Sequence, residues 1–208
     1  MRLRNKRVLI FVSLAAILLI LGIVKIVSDI VYVPVVIMYH SVARPNTALS
    51  TSGGKLNVLP EAFARQMKFL HDQNYNVISL DDFIDRIKSG KRIPHKTLTI
   101  TFDDGFKNIF VEAYPVLKKY NFPATVFVVT DSIGKDKFLS WQDIAVMQRN
   151  NITIGSHTIS HRFLTEISSD DVHRELAGSK KILEEKTGTK IKFLSYPAGR
   201  FNEQIKNA

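Results

Sequence analysis

Asp103, Asp104, His157 and His161 are the residues through which this chain can do chemistry. Two imidazoles four residues apart plus one carboxylate make a two-His, one-carboxylate metal site with open positions. A metal held in that way lowers the pKa of a bound water and polarises a carbonyl. A second carboxylate beside the first can act as general base on that water. Adjacent residues at a strand end point different ways, so Asp103 and Asp104 can divide these two roles. Gly105 permits the tight turn that follows. Taken alone, Asp-Asp-Gly reads as a turn and His-x-x-x-His as surface or core histidine. Their occurrence at two strand ends of a regular alternation favours a metal site.

That alternation must position them. Val33 to Met38 is an apolar run read as a buried strand, followed by a polar loop over 43–57 with Pro45 and Gly53-Gly54. Phe63, Met67 and Leu70 recur at helical spacing behind Pro60, giving a helix to about Gln73. Val77 to Ser79 is a small strand, and Leu80 to Lys88 a helix with Ser79 and Asp82 at capping-box spacing. Strands are then expected at Thr97 to Phe102, Ala124 to Val129, Ile152 to Ser156 and Ile191 to Tyr196. Helices are expected over Val111 to Tyr120, Trp141 to Arg149, and from near Asp170 to Gly188. Such an order implies an α/β fold on a parallel sheet, closed as a barrel or open and doubly wound. In either form the carboxyl ends of the strands gather the functional residues. Here those ends are Tyr39-His40, Asp103-Asp104-Gly105, His157 to His161, and Ser195 to Gly199.

Thr101-Phe102-Asp103-Asp104-Gly105 and Ser156-His157-Thr158-Ile159-Ser160-His161 resemble the two signature motifs of the polysaccharide deacetylases, carbohydrate esterase family 4. The similarity extends over most of 33–205, including Val35 to Val42, Ala113 to Tyr120 and Phe193 to Gly199. The resemblance implies a distorted (β/α) barrel, nominally seven-stranded. It implies that Asp103 is the catalytic base and that Asp104, His157 and His161 bind a divalent ion, with zinc the first choice. Water on that ion would attack an N-acetyl carbonyl, releasing acetate and a free amine.

Two departures matter. Many family members open the third motif with an Arg that orients the base, where this chain has Ser195 before Tyr196-Pro197-Ala198-Gly199. That resembles the poly-N-acetylglucosamine deacetylase branch and leaves the orienting role unassigned. The usual carboxy-terminal motif with the general-acid His is not found downstream. In that branch the motifs resemble a circularly permuted set, which makes His40, after Met38-Tyr39, the candidate acid. Tyr39, Tyr196, Pro197 and Trp141 are the candidate substrate-binding residues. Six strands are expected, and the chain stops inside the helix expected after Tyr196, so the barrel is expected to be open or incomplete.

The amino terminus carries the compartment signal. Val8 to Val24 is apolar except for Ser13 and Gly22, and as a helix it would span about 26 Å, close to the hydrocarbon thickness. Arg2, Arg4, Lys6 and Arg7 precede it, which keeps that end in the cytoplasm. No Ala-x-Ala-like site follows, so an uncleaved single-pass anchor is expected over 1–30, with an extracellular catalytic domain over 31–208; the competing reading is a cleaved signal peptide and a secreted domain. The net charge of +10 is concentrated partly in this tip, and no basic stripe interleaved with aromatics supports nucleic-acid binding. The absence of cysteine excludes disulfides and thiolate chemistry. The expected partners are an acetylated amino-sugar polymer and the membrane. The alternative is a membrane-tethered glycan-binding domain that keeps the fold without turnover.

Overall fold

A computed structural model describes residues 2–30, 35–45 and 56–208, with the side chains of the first helix described from 10 to 26. Val33 and most of the expected 43–57 loop lie outside these residues. In chain order the elements are α1 (Arg2–Ile30), β1 (Val35–Tyr39), β2 (Ser41–Val42), β3 (Asn57–Val58), α2 (Pro60–Asp72), β4 (Asn76–Val77) and α3 (Leu80–Lys88). There follow β5 (Thr97–Phe102), α4 (Tyr114–Lys119), β6 (Ala124–Val128), α5 (Trp141–Gln148), β7 (Ile152–Ser156), α6 (Ser169–Thr187) and α7 (Glu203–Lys206).

Every residue of β5 and β6 is buried, as expected of strands covered on both faces of a parallel sheet. The sheet is five-stranded in the order β1-β5-β6-β7, with β4 also paired to β5, and all its pairings are parallel. β2 and β3 form a separate parallel pair. Phe63, Met67 and Leu70 of α2 are buried in the same core as Ile100 and Phe102 of β5, each contributing about 1.5–3 kcal/mol by leaving water. The helices begin where local chemistry satisfies their first amides. Ser79 Oγ accepts from Asp82 N–H at 3.1 Å, and Ser140 with Asp143 forms a full capping box on α5. Gly188, at φ +66°, closes α6.

Three expectations change. The helix foreseen over Val111 to Tyr120 starts as a π turn over Ile109–Ala113, closed by Tyr114 N–H donating to Ile109 O. Pro115 has no amide to continue an ordinary ladder, so the first turn is wide. The sixth strand shrinks to one bridge, Ser156 to Leu194. Ile191 N–H is taken instead by the Glu184 carboxylate at 3.0 Å, and the segment is tied to β7 only around Ser156, whose N–H donates to Phe193 O and whose carbonyl accepts from Ser195 N–H. The result is a parallel α/β sheet that does not close among the described residues, in keeping with the open or incomplete barrel expected. Finally, no helix among the described residues is long and apolar enough to cross a membrane. The side chains of α1 are described only from Ile10 to Ile26, so part of the span expected over 1–30 lies outside them. Within the described residues the expected single-pass span is not borne out.

Candidate metal centre and catalytic site

The four residues meet because three parallel strands end on one rim. Asp103 N–H donates to Tyr39 O at 2.9 Å, extending the β1–β5 ladder one residue past the strand. Asp104 (φ +69°) and Gly105 (φ +72°) then reverse the chain. A Cβ on Gly105 would stand 2.9 Å from Val128 Cγ1, so β6 leaves no room for any other residue there. On the neighbouring end, His157 N–H donates to Val128 O at 2.9 Å. Thr158 and His161 both adopt positive φ, +66° and +59°, and Thr158 Oγ1 accepts from His161 N–H at 3.1 Å. Left-handed backbone at residues other than glycine is strained and is held only by its surroundings.

The side chains converge on a point. Asp104 Oδ1 lies 3.5 Å from His157 Nε2 and 3.4 Å from His161 Nε2, and one donor atom from each residue fits within a 4.8 Å group. Tetrahedral bonds of about 2.0–2.1 Å to nitrogen and oxygen separate neighbouring ligand atoms by about 3.3 Å. The observed spacings are those of coordination edges and are long for hydrogen bonds. His157 Nδ1 is engaged with Ser195 O at 2.8 Å, where it serves as donor, and this leaves the Nε2 lone pair free for a metal. The His157 ring is 2% exposed and that of His161 38%, giving a site anchored on one side and open on the other. The donor set fits a divalent ion.

Asp103 stands beside this centre and is buried. Burial raises its pKa, against the pull of His157, the Ser195 hydroxyl and His40. Burial also pushes Asp104 upward, but the nearby imidazole of His157, with those of His161 and His40 behind it, outweighs burial and lowers the group's pKa. The two adjacent carboxylates are thus driven apart, one toward proton uptake and one toward permanent charge. Ser195 Oγ donates to Asp103 Oδ2 at 3.0 Å. One residue therefore holds the base through its hydroxyl and His157 through its carbonyl. Sequence reasoning singled out Ser195 only as a departure; a hydroxyl one residue before the Tyr-Pro turn was the available signal.

A cavity of about 440 Å³ opens over the quartet, walled by Met38, His40, Leu56 and the Tyr196–Gly199 turn. His40 and Tyr196 thus reach the site, as the sequence placed them. Three other candidates stand elsewhere. Tyr39 donates its hydroxyl to Gln66 Oε1 at 2.9 Å, stacks on Phe102, and lines a different, apolar groove against α2. Pro197 is buried beneath the turn, and Trp141 packs on the hydrophobic core at the start of α5. None of these three lines the cavity.

Residues 90–208 match the family model described as polysaccharide deacetylase. Among curated proteins, YxkH of Bacillus subtilis is 35% identical over 173 residues, covering 83% of this chain and 59% of the relative. The poly-beta-1,6-N-acetyl-D-glucosamine N-deacetylase of Staphylococcus aureus is 29% identical over 161 residues, covering 71% of this chain and 55% of the relative. The chain therefore spans a little over half the length of these relatives. Among solved structures, Streptococcus pyogenes deacetylase PplD, in complex with acetate, superposes with a TM-score of 0.76 at 26% identity, covering 83% of this chain and 76% of that one.

Proposed function

Because this chain belongs to the polysaccharide deacetylase family, we propose that it hydrolyses N-acetyl groups of an N-acetylglucosamine-containing cell-surface polysaccharide, poly-N-acetylglucosamine or peptidoglycan. The observation that carries this reading is the paired 3.4 and 3.5 Å spacing from Asp104 to the two histidines, with the separately buried Asp103 alongside. A divalent ion, zinc by first choice, would be held by Asp104, His157 and His161 and would supply Lewis acidity toward the acyl oxygen and a more acidic water. Asp103 takes the proton from the attacking water, whose oxygen bonds to the acetyl carbon as the carbon–nitrogen bond breaks. Ser195 holds Asp103 in place during that transfer. His40, across the cavity, gives the departing amine its proton. Tyr196 offers an aromatic wall for the sugar ring.

The name of the Staphylococcus aureus relative supports the β-1,6-linked polymer as the first substrate to try. The test is acetate release from N-acetylglucosamine oligomers. Release should stop with a chelator, return with zinc, and be absent in Asp103→Asn; full activity in that variant would sink the mechanism. The alternative, a glycan-binding domain without turnover, rests partly on the missing Arg, and the Ser195–Asp103 hydrogen bond weakens that part of its support. We place the domain outside the cell, attached to the membrane through residues 1–30. The basic tip before the apolar run supports this, as do the exposed Ile10, Phe11, Leu18 and Ile26 side chains of α1.

A further inference from the structure

Glu175 is a carboxylate on the buried stripe of α6, in line with Val172, Ser179 and Leu183. It is 7% exposed, and such groups stay inside only when well partnered. Its partners all belong to the loop that joins the two histidines. Oε2 accepts from Ile159 N–H at 2.8 Å and from Ser160 N–H at 2.9 Å, and Oε1 accepts from the Ser160 hydroxyl. α6 receives this loop in a second way, since a Cβ on Gly178 would lie 2.6 Å from Ile159 Cδ1. His157 is fixed independently by β7, Val128 O and Ser195 O. His161 lies beyond the clamped pair, on left-handed backbone and with its ring partly exposed.

From this we infer that Glu175 is a positioning residue for the metal centre: it ties Ile159 and Ser160 to α6 so that His161 Nε2 meets Asp104 and His157. The inference rests on the reading of Asp104, His157 and His161 as ligands. Gln at 175 preserves the geometry, because its carbonyl oxygen can accept both amides while its NH2 donates to the Ser160 hydroxyl. Met preserves length, bulk and helix preference but accepts none of these bonds.

The test is zinc affinity of the full chain, measured by competition with a chromophoric chelator and without any substrate. Thermal unfolding of the metal-free protein is followed alongside. Glu175→Met is expected to lower affinity at least about tenfold, as the loss of a ligand's outer support does, with Glu175→Gln close to wild type. Should Glu175→Met fail to fold, Ser160→Ala removes one donor while leaving the carboxylate, and a measurable drop in affinity is still expected. Wild-type zinc affinity in the folded variant, or equal losses in Met and Gln variants, would overturn the role of Glu175. His161→Ala separates the two readings: if it binds zinc as wild type does, the ligand assignment itself fails.

Discussion

Asp103 must be ionised to accept a proton, yet burial favours its neutral form. The acid limb of activity therefore follows this ionisation, which burial displaces upward, and kcat/KM should rise with pH through it. Ser195→Ala removes a hydrogen bond that favours the charged form, so that limb should move to higher pH. At pH values where Asp103 is still ionised, the variant should lose about tenfold or more in kcat, since hydrogen bonds to charged groups contribute about 1.5–3 kcal/mol. A pH–rate profile of both proteins checks this, and superimposable acid limbs would dismiss the orienting role of Ser195. The proposed metal ligands could be named from the sequence because His-x-x-x-His and Asp-Asp-Gly occur together at strand ends and resemble the family's motifs. Ser195 and Glu175 could not be, because a serine or a helix glutamate acquires its meaning only from what it faces. Tyr39 and Trp141 show the converse: an aromatic beside a motif carries no label saying whether it faces sugar or core.

Among the elements, the turn after β5 is the one with no slack. Gly105 combines φ +72° with a Cβ direction that meets Val128, so Gly105→Ala should destabilise the fold by about 1–3 kcal/mol. It should also weaken zinc binding by moving Asp104, both readable from thermal unfolding with and without zinc. The start of α5 gives an independent, pH-dependent case. Burial pushes the Asp143 pKa up, but Lys107 at 2.6 Å and the Ser140 hydroxyl and amide bring it below its usual value. A depressed folded pKa adds stability that is present above the unfolded value, about 3.9, and is lost as pH falls through the folded one. Asp143→Ala should thus cost about 1–3 kcal/mol near neutrality, and the gap from wild type should close in strong acid. Denaturant melts at the two pH values decide it. Elements with their own punctuation, such as α3 behind Ser79 and α6 before Gly188, were legible from sequence. The Ile191–Tyr196 strand was not, because Glu184 captures the Ile191 amide that the ladder needed.

On the proposed attachment, the molecule divides its surface between two solvents. The cavity is lined by residues from Met38 onward, whereas α1 presents Ile10, Phe11, Leu18 and Ile26 with more than half of each exposed. Apolar surface on that scale is costly in water, at about 25 cal/mol per Å², and large exposed apolar patches mark contact with a membrane or another protein. The basic residues before it, Arg2 to Arg7, suit the anionic cytoplasmic leaflet. If the two parts act separately, removing residues 1–30 should move the protein from the carbonate-washed membrane fraction to the supernatant. It should leave acetate release per molecule from soluble N-acetylglucosamine oligomers within about twofold, because an anchor that makes no contact with reacting atoms changes neither kcat nor transition-state binding. Deacetylation of polymer held at the cell surface should fall instead, since tethering raises the effective concentration of the enzyme there. A full-length protein recovered in the wash would refute the attachment, while equal loss on soluble and surface-held substrate would place α1 in the support of the catalytic fold.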